Sequence, residues 1–385
     1  MNALQPTDQT AGLDRRWSAR MADAVIARHS PASAKWHYEH GLVLMAIEQV
    51  WRATGDDRYW RFVKETMDLF IDPDGHIRTY DPQEYNLDQI NPGKVLFPLY
   101  EVTRDERYKR AIVRLRKQLD SHPRTQSGGF WHKKIYPYQM WLDGIYMAAP
   151  FYAAYARTFD EPAAFDDIAH QIILIEEHSR DPQSGLLYHA WDESKQQRWA
   201  DPQTGCSPHF WGRAMGWYAM AIVDVLDHFP ENHPRRGAII AILRRMSEAL
   251  AKAQDEATGV WYQVLDQAER EGNYLEASAS CMFVYTLAKG VRKGYLPEQD
   301  LAVARSGYQG ILQQFITVDA TGLVSLEKIC AVAGLGGNPY RDGSFSYYVG
   351  EKVAANDYKG VGPFILASLE MEESRQGGDS RSMDI

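Results

Sequence analysis

The stretches Asp105–Ser121 (DERYKRAIVRLRKQLDS) and Asp143–Thr158 (DGIYMAAPFYAAYART) differ in a way that decides the fold. The first has nine charged residues among its 17, arranged around an apolar stripe, which is typical of a helix with one solvent-facing side. The second has two charged residues among 16 and is apolar or small on every side, as a buried helix should be. Successive helices are therefore predicted to alternate between an outer and an inner layer.

Hydrophobic periodicity predicts twelve helices and almost no strands. The predicted helices span residues 11–28, 40–54, 57–70, 92–103, 105–121, 143–158, 161–178, 211–229, 233–254, 275–293, 297–315 and 357–376. Odd-numbered helices are followed by long loops and even-numbered ones by short loops, so all long loops emerge at the rim where the inner helices begin. An all-α, (α/α)6 barrel of six hairpins fits this pattern better than an open helical solenoid, whose loops are usually short and whose repeat length is constant.

The length of 385 residues alone suggests two or three domains, at roughly 150 residues each. No Gly/Ser/Pro-rich linker divides the chain, however, and turn signals such as Asp181–Gly185 (DPQSG) recur after the outer helices. Small residues recur near the starts of the inner helices. We therefore predict one catalytic domain over residues 1–385, with a disordered tail at about 374–385.

Composition excludes several classes of protein. No apolar run approaches the ~20 residues that span a bilayer, and the three cysteines are too few and too widely spaced for a disulfide framework. The first residues lack the pattern of a secretory signal, so a cytoplasmic, globular protein is expected, as a monomer or weak homo-oligomer. A net charge of −9 without basic runs argues against nucleic acid as a partner. It does not exclude a small anionic ligand, because salt screens acidic groups that lie further than about 8 Å from the ligand.

The long loops are rich in side chains that suit a sugar ligand. Aromatic faces stack on the CH faces of pyranose rings, while carboxylates and imidazoles bond the hydroxyl groups. Such residues recur in the loops as Trp36–His40, Tyr85–Asn91, Phe130–Gly144, Tyr188–Trp191, Pro208–Trp217 and Tyr340–Gly343. For any single aromatic residue, packing of the loop is the better interpretation, but the concentration of the whole set on one rim favours binding.

Asp143 is the sharpest local signal, because it lies among aromatic and apolar residues that should raise its pKa and suit it to general-acid catalysis. It also lies at a predicted helix start, where the helix dipole favours the charged form, so an ordinary N-cap aspartate remains an alternative. Asp88 is the natural second carboxylate, although an Asx turn would also explain it. Arg213 and Trp217 share a helix face, and Arg213 could bind a carboxylate or form a structural bridge to an aspartate.

Other chemistries match the sequence poorly. His37–His40 (HYEH) has the wrong order and spacing for the HExxH zinc helix, and no other metal spacing stands out. Gly334–Gly337 (GLGG) is too short for a nucleotide loop, and there is no GxSxG nucleophile elbow. Metal, nucleotide and serine-hydrolase functions are not expected.

Several motifs resemble one known family. They are Trp36–Gly41 (WHYEHG), Gln139–Gly144 (QMWLDG), Gly185–Trp191 (GLLYHAW), Phe210–Arg213 (FWGR) with Gly216–Trp217, and Tyr340–Gly343 (YRDG) through Asn356–Gly362 (NDYKGVG). In this order they resemble glycoside hydrolase family 105, the unsaturated rhamnogalacturonyl hydrolases and related unsaturated uronyl hydrolases, from about residue 15 to 372. The unsaturated glucuronyl hydrolases of family 88 share the fold but match the motifs less well.

The resemblance implies an (α/α)6 barrel that hydrates the 4,5-double bond left by polysaccharide lyases on a uronic acid. Asp143 would protonate C4 and then, as the carboxylate, help water to attack C5, with Asp88 as a second carboxylate close to the site. The residues that match the lining of the unsaturated-sugar pocket are Tyr38, His132, Trp141, His189, Arg213 and Trp217. The resemblance implies neither a metal nor an organic cofactor. Met215 and the pair Lys133–Lys134 depart from the expected pattern, which affects the preference for the sugar on the aglycone side.

The substrate class that this resemblance favours is an unsaturated galacturonyl group linked to rhamnose, a small anionic oligosaccharide. A near alternative is an unsaturated glucuronyl disaccharide from ulvan-like or glycosaminoglycan-like polymers. Two alternatives of a different class are a sugar 2-epimerase, since such barrels also host histidine acid–base pairs, and a non-catalytic oligosaccharide-binding protein.

Overall fold

A computed structural model describes the backbone of residues 16–381 and the side chains of residues 16–374. The α-helices of this part are α1 (Trp17–Arg28), α2 (Tyr38–Thr54), α3 (Asp57–Asp68), α4 (Leu96–Thr103), α5 (Glu106–Asp120), α6 (Leu142–Thr158), α7 (Ala164–Ser179), α8 (Gly212–Leu226), α9 (Arg236–Ala253), α10 (Ala277–Arg292), α11 (Asp300–Gln314), α12 (Phe345–Gly350) and α13 (Tyr358–Arg381). All twelve predicted helices are present, and the short α12 was not predicted. Residues 11–15 of the first predicted helix lie outside the described part.

The inner helices form a closed ring, which confirms the predicted (α/α)6 barrel. In order around the ring they are α2, α4 with the 3-10 turn before it, α6, α8, α10 and α13, and α13 packs again on α2. The remaining long helices, α1, α3, α5, α7, α9 and α11, lie outside this ring.

The predicted contrast between the layers is present in the burial of the helices. Outer helix α5 buries only one stripe, which includes Tyr108, Ile112 and Leu115, at helical spacing. Inner helix α6 is buried along nearly its whole circumference, from Leu142 to Ala156. Burial of the apolar faces of both layers is the main stabilising contribution to this fold.

Small residues let the inner helices approach each other closely near their starts. A Cβ atom on Gly41 would lie 2.6 Å from Cα of Pro92, and one on Gly216 would lie 2.7 Å from Sδ of Met282. Both distances are shorter than real contacts of a Cβ atom, so a side chain at either position would force its neighbour in the ring to shift. This explains the predicted recurrence of small residues there.

The long loops lie on one rim, as predicted, and contain short strands that were not predicted. These are β1 (Gln139–Trp141), which pairs antiparallel with β2 (Ala190–Asp192), β3 (Ile316–Val318) with β4 (Val324–Leu326), and β5 (Ile329–Cys330) with β6 (Val353–Ala354). The predicted turn Asp181–Gly185 is confirmed, because the N–H of Gly185 donates to the carbonyl of Asp181 with φ of +76° at the glycine. The opposite rim carries shorter connections, although the segments 227–235 and 293–299 are longer than expected.

Two predictions about the chain ends are not tested. Helix α13 extends to Arg381, into the stretch 374–385 for which a disordered tail is predicted, and residues 382–385 lie outside the described part. The single domain over residues 1–385 likewise stays a prediction, because residues 1–15 are not described. Within the described residues, no helix combines the length and the apolar character that crossing a membrane requires.

Candidate active site

Three of the predicted site residues lie in the first turns of inner helices. Tyr38 begins α2, Asp143 is the second residue of α6, and Arg213 is the second residue of α8. Because these helices start at the long-loop rim, their N-terminal ends and partial positive charges converge there. This local field favours an anionic ligand despite the net negative charge of the chain.

Backbone hydrogen bonds between loops fix two histidines beside the start of α6. The N–H of Leu142 donates to the carbonyl of His189 at 3.0 Å, at the end of the ladder between β1 and β2. The N–H of His132 donates to the carbonyl of Gln139 at 2.9 Å, and its own carbonyl accepts from the N–H of Leu87 at 3.2 Å. Three separate long loops are thereby joined around Asp143.

Asp143 is not the N-cap of its helix. The N-cap of α6 is Trp141, and no side chain caps this helix. The residue Asp143 is 9% exposed, and its Oδ2 lies 3.2 Å from Nε2 of His189 without the alignment of a hydrogen bond. The N-cap interpretation of this residue is therefore wrong, and its carboxyl is left available to a ligand.

Asp88 lies beside His132 in a buried ion pair with Lys133. Its Oδ2 lies 2.5 Å from Nζ of Lys133, and its Oδ1 lies 3.5 Å from Nε2 of His132. Burial alone would raise the pKa of Asp88, but Lys133 and His132 together outweigh burial and hold that pKa below its usual value. Burial is also the main cause that lowers the pKa of His132 to about 4, so this imidazole is neutral near pH 7.

Arg213 is almost completely buried but makes no ion pair with a carboxylate among the described residues. Its Nη1 donates to the carbonyl of Cys330 and to Oγ of Ser278 at 3.3 Å, while its Nε has no partner within the described part. Its guanidinium lies 4.8 Å from the ring centroid of Trp211. The alternative of a structural Arg–Asp bridge is not found, and a buried cation with a free donor suits a carboxylate ligand.

The phenol of Tyr38 lies near the charged groups of the site. Burial raises its pKa well above the usual value, and the carboxylates of Asp88 and Asp143 add to this while Arg213 opposes it. All three groups are therefore near its phenol. Below Tyr38 lies Trp217, with ring centroids 5.9 Å apart and only 1% of Trp217 exposed. Trp217 thus forms the floor under Tyr38, and its predicted contact with a sugar stays a prediction.

Trp141 belongs to a layer of parallel rings in the wall of the site. His132 and Tyr136 lie parallel to its indole, with centroids 4.7 Å and 4.9 Å away, and His189 contacts it edge-on at 5.3 Å. Trp141 is 5% exposed and lies in a small hydrophobic cluster with Trp199 and Leu335, which belong to other long loops. In this structure it packs the loops together, and its predicted contact with a sugar stays a prediction.

The structure adds three residues whose roles were not predicted. The Oη of Tyr348 lies 2.8 Å from Nδ1 of His189, Lys133 forms an ion pair with Asp88, and the buried carboxylate of Glu276 accepts from the N–H groups of Ala279 and Cys330. The signal for Lys133 was its position beside His132, and the signal for Tyr348 was its place in an aromatic loop. Neither signal identifies the partner.

Comparisons with known proteins identify the class of this barrel as glycoside hydrolase. The model of the family described as Glycosyl Hydrolase Family 88 matches residues 14–375, and the chain belongs to this family.

Individual relatives narrow the class further. A solved glycoside hydrolase from family 105 of C. acetobutylicum ATCC 824 is 52% identical, covers 93% of this chain and 100% of its own, and superposes with a TM-score of 0.92. The unsaturated rhamnogalacturonyl hydrolase YesR of Bacillus subtilis (strain 168) is 28% identical over 264 residues, which are 67% of this chain and 72% of YesR. The 24.9 kDa protein in the picA locus of Rhizobium radiobacter is 38% identical over 58% of this chain and 97% of its own. The resemblance to family 105 is confirmed.

Proposed function

We propose that the chain hydrates the 4,5-double bond of an unsaturated uronic acid at the non-reducing end of lyase-generated oligosaccharides. The observation that carries this proposal is the carboxyl of Asp143, which caps no helix and lies 3.2 Å from Nε2 of His189, with the ionised Asp88 near the same Tyr38 phenol. Oδ2 of Asp143 has no hydrogen-bond partner among the described residues, whereas the carboxyl of Asp88 is held ionised by Lys133. Two carboxyl groups in such different environments suit division of acid and base roles.

The reaction needs one group that acts first as an acid and then as a base. Asp143 donates its proton to C4, and the double-bond electrons form the C4–H bond and leave positive charge at C5. Asp143, now a carboxylate, accepts a proton from the water whose oxygen bonds to C5. The hemiketal at C5 then opens to a ketone, and the hemiacetal that remains at C1 releases the aglycone as an alcohol. Asp143 ends the cycle protonated, so one water is consumed overall.

The surrounding residues have roles that follow from their contacts. Arg213 and the converging helix starts bind the carboxylate of the uronic acid. Asp88 stabilises the positive charge that develops at C5, since its ion pair with Lys133 keeps it ionised. His189 lies against Asp143 and orients its carboxyl, and Tyr38 and His132 contact the sugar hydroxyls from the two sides.

The substrate we propose is an unsaturated galacturonyl group linked to rhamnose, on the strength of the similarity to the rhamnogalacturonyl hydrolase YesR. Unsaturation removes the C4 stereocentre that distinguishes galacturonate from glucuronate, so discrimination falls on the linkage and on the next sugar. We also propose that the protein acts in the cytoplasm, because its described cysteines, Cys206, Cys281 and Cys330, are all unpaired and buried, as is usual in a reducing compartment.

The test is to incubate the protein with lyase-generated disaccharides and follow the ultraviolet absorbance of the conjugated double bond. Hydration removes this absorbance, whereas epimerisation or simple binding leaves it unchanged. A panel that includes unsaturated galacturonyl-rhamnose and unsaturated glucuronyl disaccharides then ranks kcat/KM. If the absorbance stays unchanged with every member of the panel, the proposed activity is refuted. If a glucuronyl substrate is turned over faster than galacturonyl-rhamnose, the glucuronyl compound becomes the assigned substrate.

A further inference from the structure

A second cavity opens at the other end of the barrel. It has a volume of about 1000 Å³ and extends from the short connections into the ring, and we call it the lower cavity. Arg104, Thr158 and Lys293 line its mouth at the ends of α4, α6 and α10, while Lys94 and Tyr146 line its deep end. This volume is large enough to enclose a small organic molecule.

The lower cavity is separated from the candidate active site by aromatic rings. Tyr146 stacks on Trp217 with centroids 4.9 Å apart, and Trp217 in turn supports Tyr38. Tyr38 faces the active-site carboxylates, whereas the ring of Tyr146 lines the lower cavity. Ligands in the two chambers would therefore occupy separate places.

Most basic side chains of the lower cavity are already neutralised. Nζ of Lys289 lies 2.7 Å from carboxylate oxygens of both Asp224 and Asp227. Arg292 pairs with Glu370 at 2.6 Å. At the mouth, Arg52 pairs with Glu48 and Glu101, and Lys293 pairs with Asp227.

Lys94 is the buried exception in this set, since Arg104, which also makes no ion pair among the described residues, is exposed at the mouth. It is 5% exposed, and its ammonium lies 3.7 Å from the ring centroid of Tyr146. Among the described residues it has neither an ion-pair nor a hydrogen-bond partner. Burial lowers the pKa of Lys94 to about 7, an effect that Lys289 increases and Asp224 opposes. A buried ammonium without a carboxylate is costly, and an anionic ligand would remove that cost.

Asp224 supplies an acceptor in the same cavity. Its Oδ1 accepts from Oη of Tyr285 at 2.6 Å and from Lys289, whereas its Oδ2 has no hydrogen-bond partner within the described part. The walls also include apolar side chains of Met45, Pro150 and Leu366. The cavity thus offers one cationic donor, one free carboxylate oxygen and an apolar surface.

We propose that the lower cavity is a second binding site, for a small hydroxy acid whose carboxylate pairs with Lys94 and whose hydroxyl donates to Oδ2 of Asp224. A monocarboxylate fits one unpaired ammonium, whereas a phosphate dianion would meet the carboxylates of Asp224 and Glu48, and among the described lining residues Lys94 is the one buried cation without an ion pair to balance it. The carbon chain of the acid packs on the apolar wall. This inference does not depend on the proposed reaction.

Isothermal titration calorimetry with D-gluconate tests the proposal, with D-glucitol as the neutral probe that has hydroxyls but no carboxylate. The variants are Lys94→Met and Lys94→Gln in the lower cavity, and Lys133→Met as a matched loss of one lysine at the opposite, catalytic end. Thermal melting checks that each variant is folded. We expect the wild type and Lys133→Met to bind gluconate equally, both Lys94 variants to bind it at least about tenfold more weakly, and glucitol to bind weakly to all of them.

The proposal would be overturned by no gluconate binding to the wild type, by equal binding to a folded Lys94 variant, or by loss of binding only in Lys133→Met, which would locate gluconate in the candidate active site. The comparison of gluconate with glucitol on the wild-type protein requires no variant, so misfolding of the Lys94 variants would not remove the test. Equal binding of the two probes would also overturn it.

Discussion

The Oη of Tyr348 lies 2.8 Å from Nδ1 of His189, while Nε2 of the same imidazole lies 3.2 Å from Oδ2 of Asp143. Burial raises the pKa of Tyr348 well above its usual value, so its phenol keeps its proton. Because this hydroxyl has no other partner among the described residues, it donates to Nδ1. The imidazole is then the tautomer with its proton on Nε2, which faces Asp143.

Tyr348→Phe removes this donor but keeps the ring that stacks on Trp211. We expect kcat for the hydration of an unsaturated disaccharide to fall roughly tenfold to a hundredfold, the size of effect seen when the partner that orients a metal-bound histidine is lost. KM should change little, because Tyr348 is one residue removed from the substrate. A rise in KM at constant kcat would instead indicate that Tyr348 only packs the pocket.

Asp143→Asn keeps the shape of the side chain but cannot donate a proton to C4. We expect hydration to fall by a factor of about 100 or more, the range that general acid–base catalysis provides. Binding of the unsaturated disaccharide, followed by calorimetry, should persist in the variant. Full activity of Asp143→Asn would remove Asp143 from the mechanism, whereas loss of binding would assign it to substrate recognition.

Lys133→Met removes the ammonium that lies 2.5 Å from Asp88. Lys133 contributes to the low pKa of Asp88, so that pKa should rise in the variant because the effect of burial then dominates. A fraction of Asp88 is then protonated at mildly acidic pH. Because the mechanism needs the charged form, the acidic limb of the pH profile of kcat/KM moves to higher pH. Lys134→Met is the control, since the neighbouring Lys134 makes no ion pair with Asp88. An unchanged acidic limb in Lys133→Met would show that the charge of Asp88 is not needed.

Gly144 lies so close to His132 that a Cβ atom would be 2.9 Å from Nδ1 of the imidazole. Gly144→Ala should therefore displace His132, which lies 3.5 Å from Asp88, and reduce activity about tenfold. Gly237→Ala is the matched control in the outer helix α9, where a Cβ would meet nothing within 4 Å. The control should raise stability by up to about 1 kcal/mol without changing activity. Equal activity of the two variants would contradict a role for the position of His132.

The fold could be predicted from the sequence because the layers differ in composition. The charged face of α5 and the apolar surface of α6 are properties of each segment alone, and they indicate the outer and inner layers without knowledge of any contact. The strands could not be predicted in this way. β1 and β2 are three residues each and form only because two loops meet, so they have no periodicity of their own.

For the candidate site, the sequence predicts which residue types lie at one rim. It does not predict which of them contact each other. From the sequence, Asp143 could be either the N-cap of α6 or a general acid. The structure excludes the first interpretation, because Trp141 is the N-cap. The contact between Tyr348 and His189 joins residues 159 positions apart, and nothing near either residue in the sequence specifies it. Trp217 shares a helix face with Arg213, but only the packing around it shows that it is buried beneath Tyr38.

Stability should decrease as the pH falls below about 6.5, because the fold buries neutral histidines. Burial is the main cause that lowers the pKa of His122 to about 4, and the pKa values of His40 and His132 are lowered to about 4 for the same reason. The geometry of His122 fits the neutral form, since its Nε2 lies 2.8 Å from the carbonyl of Trp131 and its Nδ1 lies 3.4 Å from the side-chain nitrogen of Gln118. An additional proton on Nδ1 would point at the N–H group of that amide, and the two donors would repel each other.

The sign of this effect follows from linkage. Between pH 6.5 and about 4 the unfolded chain binds protons at these histidines that the folded chain does not bind, so the free energy of unfolding falls as the pH falls through this window. Each such histidine contributes a slope of at most about 1.4 kcal/mol per pH unit. His122→Gln should therefore make the decrease in stability less steep by up to that amount, measured by urea denaturation between pH 7 and pH 4.5. An identical slope in the variant and the wild type would mean that His122 is protonated in the folded protein as readily as in the unfolded chain.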